Sequence, residues 1–342
     1  MAEKRPPTTL DEMREILARL PGPDREADEA AATREAQLTK PAGALGRLEE
    51  ISAWAARWQG RHPAQCVHPR SAVFAGNHGV ASRGVSAYPA AVTAQMVKNF
   101  VDGGAAINQL CRAVDADLRV YEMALDQATE DFTREPAMTE EECATAMAYG
   151  MMAVEPGIDL LAIGEMGIAN TTAAAALCAA LFGGAAADWV GPGTGVDSGG
   201  IERKRAVVEE GVALHKQAAK DGLDLLRRLG GREFAAMAGA VIAARMARVP
   251  VLLDGYATCA AAAALFAVEA RALDHCLVAH RSAEPGHRRL LEHLGKAPLL
   301  DLGMRLGEAS GATLALLLLK AAAACHNDMA TFAEAGVSGP GG

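Results

Sequence analysis

The stretch SAVFAGNHGVASRGVSAYP, residues 71–89, joins a short apolar run of β type to a polar segment that contains glycines. The same pairing recurs along the chain, with alanine-rich helical segments between the runs. Strand-like runs that alternate with helices predict βαβ units and a parallel, doubly wound sheet. We predict strands in SAVFAG (71–76), LRVYEMAL (118–125), IDLLAIG (158–164), AADWVG (186–191), VPVLLDG (249–255) and DHCLVAH (274–280).

Polar clusters follow five of these runs directly. In a parallel α/β sheet the ligand crevice lies outside the carboxyl ends of the strands, so we expect the clusters to meet at one rim. They are NHGVASRGVSAYP (77–89), EMGIANTT (165–172), PGTGVDSGG (192–200), YAT (256–258) and RSAEPGH (281–287). The pattern predicts a single binding site built from several loops.

Both ends of the chain have helical patterns. The N-terminal section is charged with a thin apolar stripe, and Thr9 with Glu12 forms a capping-box pattern. We therefore predict a large α/β domain over residues 64–301 and a smaller helical domain built from residues 1–63 and 302–342.

Size and charge exclude several classes of protein. A chain of 342 residues with 51% hydrophobic content is long enough to bury a substantial core. The formal net charge of −9 and the lack of a dense Lys/Arg run argue against nucleic-acid binding.

Cysteine usage and hydropathy indicate where the protein works. The seven cysteines are scattered and form no CxxC pair, so we expect reduced thiols and a cytoplasmic protein. The N-terminal residues lack the apolar core of a signal peptide. The uncharged run at 166–187 is alanine-rich and predicts a buried helix, so we expect no membrane association.

One carboxylate stands out in LGMRLGEASGATLALLLL, residues 302–319. Glu308 lies in a turn between Gly307 and Gly311, which permit a tight bend or a close ligand approach, and an almost wholly apolar helix follows. Such a charge either completes the capping of the helix or is held for chemistry. These residues alone leave both readings open.

Two glycine-rich segments are candidates for phosphate binding. GEMGIANTT (164–172) reads as a turn into a helix whose amides hold an anion, or as an ordinary capped helix. GPGTGVDSGGIERK (191–204) places Lys204 in the following helix, either as a phosphate ligand or as a solvated lysine. Neither segment matches a P-loop or a dinucleotide GxGxxG loop.

Histidines near the polar clusters suggest a metal, but their spacing does not. His78, His280, Glu284 and His287 fit no HExxH or related pattern, so capping, loop-closing and subunit-contact roles are favoured. A Ser-His-Asp hydrolase is disfavoured because GxSxG is absent. We expect no metal and no cofactor.

Taken together, these motifs resemble the nicotinate-nucleotide:dimethylbenzimidazole phosphoribosyltransferase family of cobalamin nucleotide-loop assembly. The resemblance implies a Rossmann-like parallel α/β domain, a small domain of terminal helices and a homodimer. It also implies phosphoribosyl transfer from nicotinate mononucleotide to 5,6-dimethylbenzimidazole, giving α-ribazole 5′-phosphate and nicotinate. The matching segments are TKPAGALGRLE (39–49), FAGNHGVASRGVSAYPAAVTAQMV (74–97), GGAAI (103–107), GEMGIANTT, GPGTGVD, GGREFAAMAGA (230–240), PVLLDGY, HRSAEPGH and PLLDLGMRLGEASGA (298–312).

The resemblance also implies roles for individual residues. Glu308 corresponds to the general base, and Glu165 and Lys204 to other functional positions. The nucleotide- and phosphate-binding loops correspond to Gly167, Asn170, Thr171, Thr172, Gly193, Thr194 and Gly195. The acceptor pocket corresponds to Tyr88, Gln95, Met96, Met304 and Leu306.

Two residues depart from the family pattern. Asn77 stands where the family commonly has the aspartate of DHGV, and Ala309 stands where a glycine follows the catalytic glutamate. No Mg²⁺ site is expected, because the donor carries a monophosphate rather than a leaving pyrophosphate. The alternatives are transfer to another base or a phenol, and a non-catalytic nucleotide-binding sensor.

Overall fold

A five-stranded parallel sheet forms the centre of the molecule. The computed structural model describes residues 7–339. The strands are β1 (Pro69–Ala75), β2 (Asp117–Glu122), β3 (Leu160–Met166), β4 (Val251–Leu253) and β5 (Cys276–Val278). Their order is β2-β1-β3-β4-β5, and every neighbouring pair is parallel. The predicted α/β class with a parallel sheet is confirmed, and the strand order changes direction between β1 and β3.

Helices cover both faces of this sheet. Short 3₁₀ turns occur at Gly79–Arg83 and Ala186–Asp188. The α-helices are α1 (Leu10–Leu17), α2 (Arg25–Glu35), α3 (Arg47–Gln59), α4 (Ala91–Asp102), α5 (Ala106–Val114), α6 (Glu140–Met151), α7 (Asn170–Phe182), α8 (Ser198–His215), α9 (Gly222–Leu229), α10 (Arg232–Met246), α11 (Tyr256–Val268), α12 (Pro285–Leu294), α13 (Ser310–Asp328) and α14 (Phe332–Ala335).

Alternating side chains divide the interior into separate cores. In β3, Leu161 and Ile163 belong to the core beneath α6, α7, α10 and α11, while Leu160 and Ala162 belong to the core beneath α3 and α13. All four side chains are buried. A strand buried on both faces reads as a nearly continuous apolar run, which explains the IDLLAIG pattern.

The two ends of the chain meet over one face of the sheet. Ile51 and Trp58 of α3 and Leu316 of α13 lie in the same core as Leu160 of β3. The first helix does not join them, because α1 packs against α6 and α11 in the opposite core. The terminal helices therefore contact both faces of the α/β body.

Two predictions concern the ends of the chain. The capping box at Thr9 and Glu12 is confirmed at the start of α1. The division into residues 64–301 and a domain of terminal helices stays a prediction. Residues 1–6 and 340–342 of that second domain lie outside the described residues.

The predicted strand at AADWVG is wrong, since this segment forms the 3₁₀ turn Ala186–Asp188. The Asp188 carboxylate accepts a hydrogen bond from the Ala185 amide at 2.9 Å and closes the turn. Trp189 is fully buried, and its indole N–H donates to the Gly183 carbonyl at 2.8 Å. The run is apolar because it anchors a turn in the core, and a short apolar run cannot by itself distinguish the two cases.

The uncharged run at 166–187 contains α7, in which every residue from Ala173 to Ala180 is buried. The predicted buried helix is confirmed. Within residues 7–339, no helix is both long and apolar enough to span a membrane. All seven cysteines are free thiols.

Two glycines bring α6 and α10 into backbone contact. A methyl group added at Gly150 of α6 would lie 1.9 Å from the carbonyl oxygen of Ala236. One added at Gly239 of α10 would lie 1.9 Å from the carbonyl oxygen of Met147. Both positions are therefore restricted to glycine by sterics, although alanine is the better helix former.

We expect Gly239→Ala to lower the free energy of unfolding by about 1–3 kcal/mol, because the added methyl group forces the two helices apart. Urea denaturation of both proteins measures the difference. Gly22→Ala is the matched control, since its added methyl group meets nothing within 4 Å. Equal midpoints for Gly239→Ala and the parent protein would contradict the close crossing.

Candidate active site

A cavity of about 300 Å³ opens at the carboxyl ends of the strands. The loops that follow β1, β3, β4 and β5 all contribute to it, together with the turn before α13. The lining residues are Tyr88, Glu165, Met166, Gly167, Ile168, Asn170, Thr171, Gly193, Thr194, Gly255, Tyr256, Ala257, His280, Ser282, Glu284, Arg305, Leu306 and Gly307. The structure thus brings the five polar clusters of the sequence to one site.

Glu308 is held beside this cavity in an unusual turn. Gly307, Glu308 and Ala309 have φ angles of 84°, 61° and 57°, so three consecutive residues adopt the left-handed conformation. For a residue other than glycine this conformation costs about 1–2 kcal/mol. The Glu308 amide donates to the carbonyl oxygen of Glu165 at 2.9 Å, which ties the turn to the end of β3. Strain of this kind is typical of functional sites.

Gly164 in β3 allows the turn to lie directly on the strand. A methyl group at Gly164 would be 2.1 Å from the amide nitrogen of Ala309. Ala309 is fully buried and is the N-cap residue of α13. The alanine at position 309 is therefore accommodated in the left-handed conformation, with its side chain buried.

Glu308 is buried, and one oxygen of its carboxylate lacks a partner in the described part of the chain. Its side chain is 4% exposed, and within residues 7–339 its Oε2 atom has no hydrogen-bond donor. Burial raises the pKa of Glu308 to about 7, and the charge of Asp254 contributes. The N-cap of α13 is Ala309, which has no side-chain capping bond. Among the described residues, the Glu308 side chain therefore makes no capping bond to α13.

Glu165 is a second carboxyl group with a perturbed pKa. Burial raises the pKa of Glu165 to about 8, and the charges of Glu233, Asp254 and Glu308 act in the same direction. The side-chain amide of Asn170 donates to its Oε2 atom. At neutral pH most of the Glu165 population is therefore protonated, and its neighbour Glu308 meets a largely uncharged group.

Lys204 links the two glycine-rich loops through hydrogen bonds. Its side chain is 1% exposed, and Nζ donates to Thr171 Oγ1 at 2.9 Å and to the Gly191 carbonyl at 2.8 Å. A methyl group at Gly193 would lie 2.6 Å from Thr171 Oγ1 and 3.0 Å from Lys204 Nζ. Burial lowers the pKa of Lys204 to about 8, an effect that Glu284 opposes. Lys204 is therefore not a solvated surface lysine.

The proposed site residues fall into two groups. Those that line the cavity are Tyr88, Glu165, Gly167, Asn170, Thr171, Gly193, Thr194 and Leu306. Those outside the lining are Glu308, Lys204, Thr172, which is fully buried, Gln95, Met96, Gly195 and Met304. Gln95 and Met96 belong to α4, whose Thr93 hydroxyl accepts a hydrogen bond from the Ile168 amide at 3.2 Å.

Several residues of the site were missed by sequence reasoning. Asp254 directly follows β4, and Arg305 donates to the Gly193 carbonyl at 2.8 Å. Glu233 is fully buried, with its Oε1 atom 2.5 Å from His78 Nε2. A polar residue at the end of an apolar strand was the available signal for Asp254. Nothing local distinguishes Glu233 from a helix-surface glutamate.

Two of the residues weighed as metal ligands, Glu284 and His287, accept hydrogen bonds from backbone amides. Glu284 accepts a hydrogen bond from the Gly193 amide at 2.9 Å. His287 Nδ1 accepts one from the Ser282 amide at 2.9 Å, and burial lowers the pKa of His287 to about 3. Over the described range 7–339, no group of three or more His, Cys, Asp or Glu side chains is placed to hold a metal ion.

The side-chain NH₂ group of Asn77, which an aspartate lacks, makes a hydrogen bond. Its side-chain amide donates to the Leu125 carbonyl at 2.8 Å, and its own backbone carbonyl accepts from the Thr129 amide at 3.0 Å. An ionised carboxylate at this position is unable to donate the first bond. Asn77 therefore fixes the loop after β2 rather than contributing a charge.

A family model described as Phosphoribosyltransferase matches residues 20–337. The chain belongs to this family. A member from Rhizobium etli, named nicotinate-nucleotide-dimethylbenzimidazole phosphoribosyltransferase, is 61% identical over 330 residues, which are 96% of this chain and 97% of the relative. A protein of the same name from Brucella anthropi is 58% identical over 330 residues, with the same coverage.

Solved structures of the phosphoribosyltransferase family share the fold. The crystal structure of CobT from Thermus thermophilus superposes with a TM-score of 0.86 at 42% sequence identity. The match covers 92% of this chain and 99% of that one.

We expect Glu308→Gln to stabilise the unliganded protein at pH 8. The folded-state pKa of about 7 exceeds the ordinary value of 4.5, so folding is penalised once the unfolded chain is ionised. The penalty is absent below about pH 4.5, grows as the pH rises and is complete above about pH 7, where it reaches roughly 3 kcal/mol. Urea denaturation across this range measures it.

Glu334→Gln is the control for this experiment. Glu334 accepts hydrogen bonds from Thr331 at the start of α14, which lower its pKa, so its replacement gains no stability at high pH. A loss of stability for Glu308→Gln at pH 8 would instead indicate that the carboxylate supports the helix.

Proposed function

We propose that this protein transfers the phosphoribosyl group of nicotinate mononucleotide to 5,6-dimethylbenzimidazole, giving α-ribazole 5′-phosphate and nicotinate. The observation that carries the proposal is the buried Glu308, which has one carboxylate oxygen unpartnered within residues 7–339 and lies beside a cavity between two glycine-rich loops. The chain that carries Glu308 is 61% identical to a relative whose name states this reaction.

Bond breaking needs no acid in this reaction. The N-glycosidic bond of nicotinate mononucleotide ends at a pyridinium nitrogen, which accepts the bonding electron pair and becomes neutral as nicotinate leaves. The anomeric carbon becomes cationic and is attacked by a nitrogen of the acceptor. The enzyme must therefore hold the ribose phosphate and remove one proton from the acceptor.

In this proposal Glu308 takes that proton. A benzimidazole carries N–H on one ring nitrogen and a lone pair on the other, and withdrawal of the proton raises the electron density of the attacking nitrogen. A base is most effective when its pKa lies near the working pH. The pKa of Glu308, raised by burial to about 7, meets this condition.

Glu165 supports the base through its backbone and its charge state. Its carbonyl oxygen accepts the Glu308 amide at 2.9 Å, which fixes the catalytic turn. Its raised pKa, about 8, keeps it largely protonated, so it adds little repulsion to an ionised Glu308. Its side chain also holds the Asn170 amide at the start of α7.

The donor phosphate fits the region where α7 begins. A helix N-terminus carries a partial positive charge that favours an anion. Thr171 and Gly193 approach each other there, with the Lys204 ammonium directly behind them. A dianionic phosphate at this point is neutralised by a buried cation without direct competition from solvent.

The assembly and the location follow the family resemblance. We expect a homodimer, and the exposed side chains of Tyr88, Leu302 and Leu306 beside the cavity suit coverage by a second copy. The free thiols suit a reducing compartment, so we expect a cytoplasmic enzyme.

We expect nicotinate to appear when nicotinate mononucleotide and 5,6-dimethylbenzimidazole are mixed with the protein, together with equimolar α-ribazole 5′-phosphate. Glu308→Gln should lower kcat by about 10²- to 10⁴-fold with little change in KM, because it removes the base but not its volume. Product chromatography with both substrates, and with each alone, measures the reaction.

Glu334→Gln again serves as the control and should retain the parent kcat. Turnover with adenine or a phenol, and none with 5,6-dimethylbenzimidazole, would show that the proposed acceptor is wrong. The absence of nicotinate with every acceptor would favour a nucleotide sensor. An unchanged kcat in Glu308→Gln would remove Glu308 as the base.

We expect Lys204→Met to raise the KM for nicotinate mononucleotide by about 10- to 100-fold, since a charged hydrogen-bonding group is lost. In the parent protein kcat/KM for this donor should fall above about pH 8, because burial lowers the pKa of Lys204 to that value and the ammonium loses its charge as the pH rises.

Lys220→Met is the matched control, since Lys220 is exposed and pairs with Asp11 on the surface. Thermal melting of both variants checks that the loss at Lys204 is not unfolding. Equal KM values for Lys204→Met and the parent would place the phosphate elsewhere.

A further inference from the structure

Helix α13 begins without a local cap. Its N-cap residue is Ala309, which has no side chain able to accept a hydrogen bond. The first four amides of any helix need acceptors from elsewhere, and here Ser310, Gly311 and Ala312 are buried away from solvent. The Ser310 amide has a local acceptor, the Gly307 carbonyl at 3.0 Å, whereas the Ala312 amide donates to a residue distant in sequence.

Asp254 supplies that acceptor from the end of β4. Its Oδ1 atom accepts the Ala312 amide at 2.9 Å, across 58 positions of the chain. Asp254 is fully buried, and its own amide donates to the Ile163 carbonyl of β3 at 3.2 Å. The start of α13 is thus fastened to the sheet through one side chain, and the fastened amide follows closely after the catalytic Glu308.

The second carboxylate oxygen of Asp254, Oδ2, is buried and has no hydrogen-bond partner among the described residues. The amides at the start of α13 stabilise the negative charge. Besides Asp254, the titratable groups that face Glu308 are Glu165 from β3 and, through Asp254, His280 after β5, whose Nε2 is 3.5 Å from Asp254 Oδ1.

We propose that Asp254 is a positioning residue for Glu308, which fixes the catalytic turn through α13 and strengthens the base through its negative charge. Two carboxylates near each other in a buried site disfavour each other's ionised form, so Glu308 binds a proton more tightly when Asp254 is charged. Hydrogen bonding and charge are separate contributions, and they are separable by substitution. The proposal rests on the proposed function for the catalytic role of Glu308.

Asp254→Asn tests the charge, because the amide oxygen still accepts the Ala312 bond. The pH above which the stabilising effect of Glu308→Gln stops growing reports the midpoint of the Glu308 titration in the folded, unliganded protein. The measurement is urea denaturation of four proteins: the parent, Glu308→Gln, Asp254→Asn and the double variant. We expect the midpoint to move down by roughly one pH unit when Asp254 is replaced by Asn. An unmoved midpoint overturns the electrostatic part of the proposal.

Activity measurements test the positioning part. With the parent substrates Asp254→Asn should lower kcat roughly threefold, as expected of a weaker base, and leave the KM for nicotinate mononucleotide unchanged. Asp254→Ala also removes the Ala312 bond and should lower kcat by at least roughly a further tenfold. Equal kcat for the two variants overturns the positioning part.

Asp159→Asn is the matched control. Asp159 is also buried and accepts the Val67 and His68 amides at 2.6 and 2.9 Å, but it lies before β3, at the opposite end of the sheet. This variant should leave the Glu308 midpoint and kcat unchanged. If Asp254→Asn does not fold, Asp254→Ser offers an uncharged acceptor for the same measurements.

Failure of the proposed function and failure of the positioning proposal give different experimental results. If the parent releases no nicotinate, the proposed function fails, while the unfolding experiment still measures the interaction between Asp254 and Glu308. If the parent is active and neither the midpoint nor kcat responds to substitution of Asp254, the positioning proposal alone fails.

Discussion

The hydrogen bond from the Glu308 amide to the Glu165 carbonyl joins the central strand of the sheet to the turn that begins α13. Everything that makes the site chemically active depends on this junction. It requires Gly164, since any side chain there would collide with the Ala309 backbone. It also requires three consecutive left-handed residues, whose conformational cost the surrounding packing must offset.

The electrostatic character of the cavity follows from the same junction. Glu165, Glu308 and Asp254 come together because β3, β4 and α13 converge there, and burial makes ionisation of the two glutamates costly. The result is a site in which both glutamates have pKa values near neutrality, while burial brings the pKa of Lys204 down to about 8. Perturbed pKa values of this kind are concentrated at functional sites.

Sequence patterns predicted the architecture well because periodicity reports burial. The parallel sheet, the α1 capping box and the buried helix α7 all follow from local apolar spacing and short local motifs. AADWVG failed because a turn anchored by Trp189 has the same composition as a short strand. Asp254 and Glu233 escaped notice because their roles depend on partners far away in sequence, at Ala312 and His78.

One face of the sheet is covered by α13, which is synthesised after all five strands. The side chains of Leu160 and Ala162 are sealed only when α13 arrives, and the Ser71 to Thr313 hydrogen bond of 2.7 Å spans 242 positions. During synthesis an apolar sheet face therefore waits, uncovered, until the residues of α13 have left the ribosome. Long-range contacts of this kind slow folding and expose the intermediate to aggregation. Glu308 is itself translated after every strand of the sheet, so a chain interrupted before it lacks both this carboxylate and the helix that covers the face.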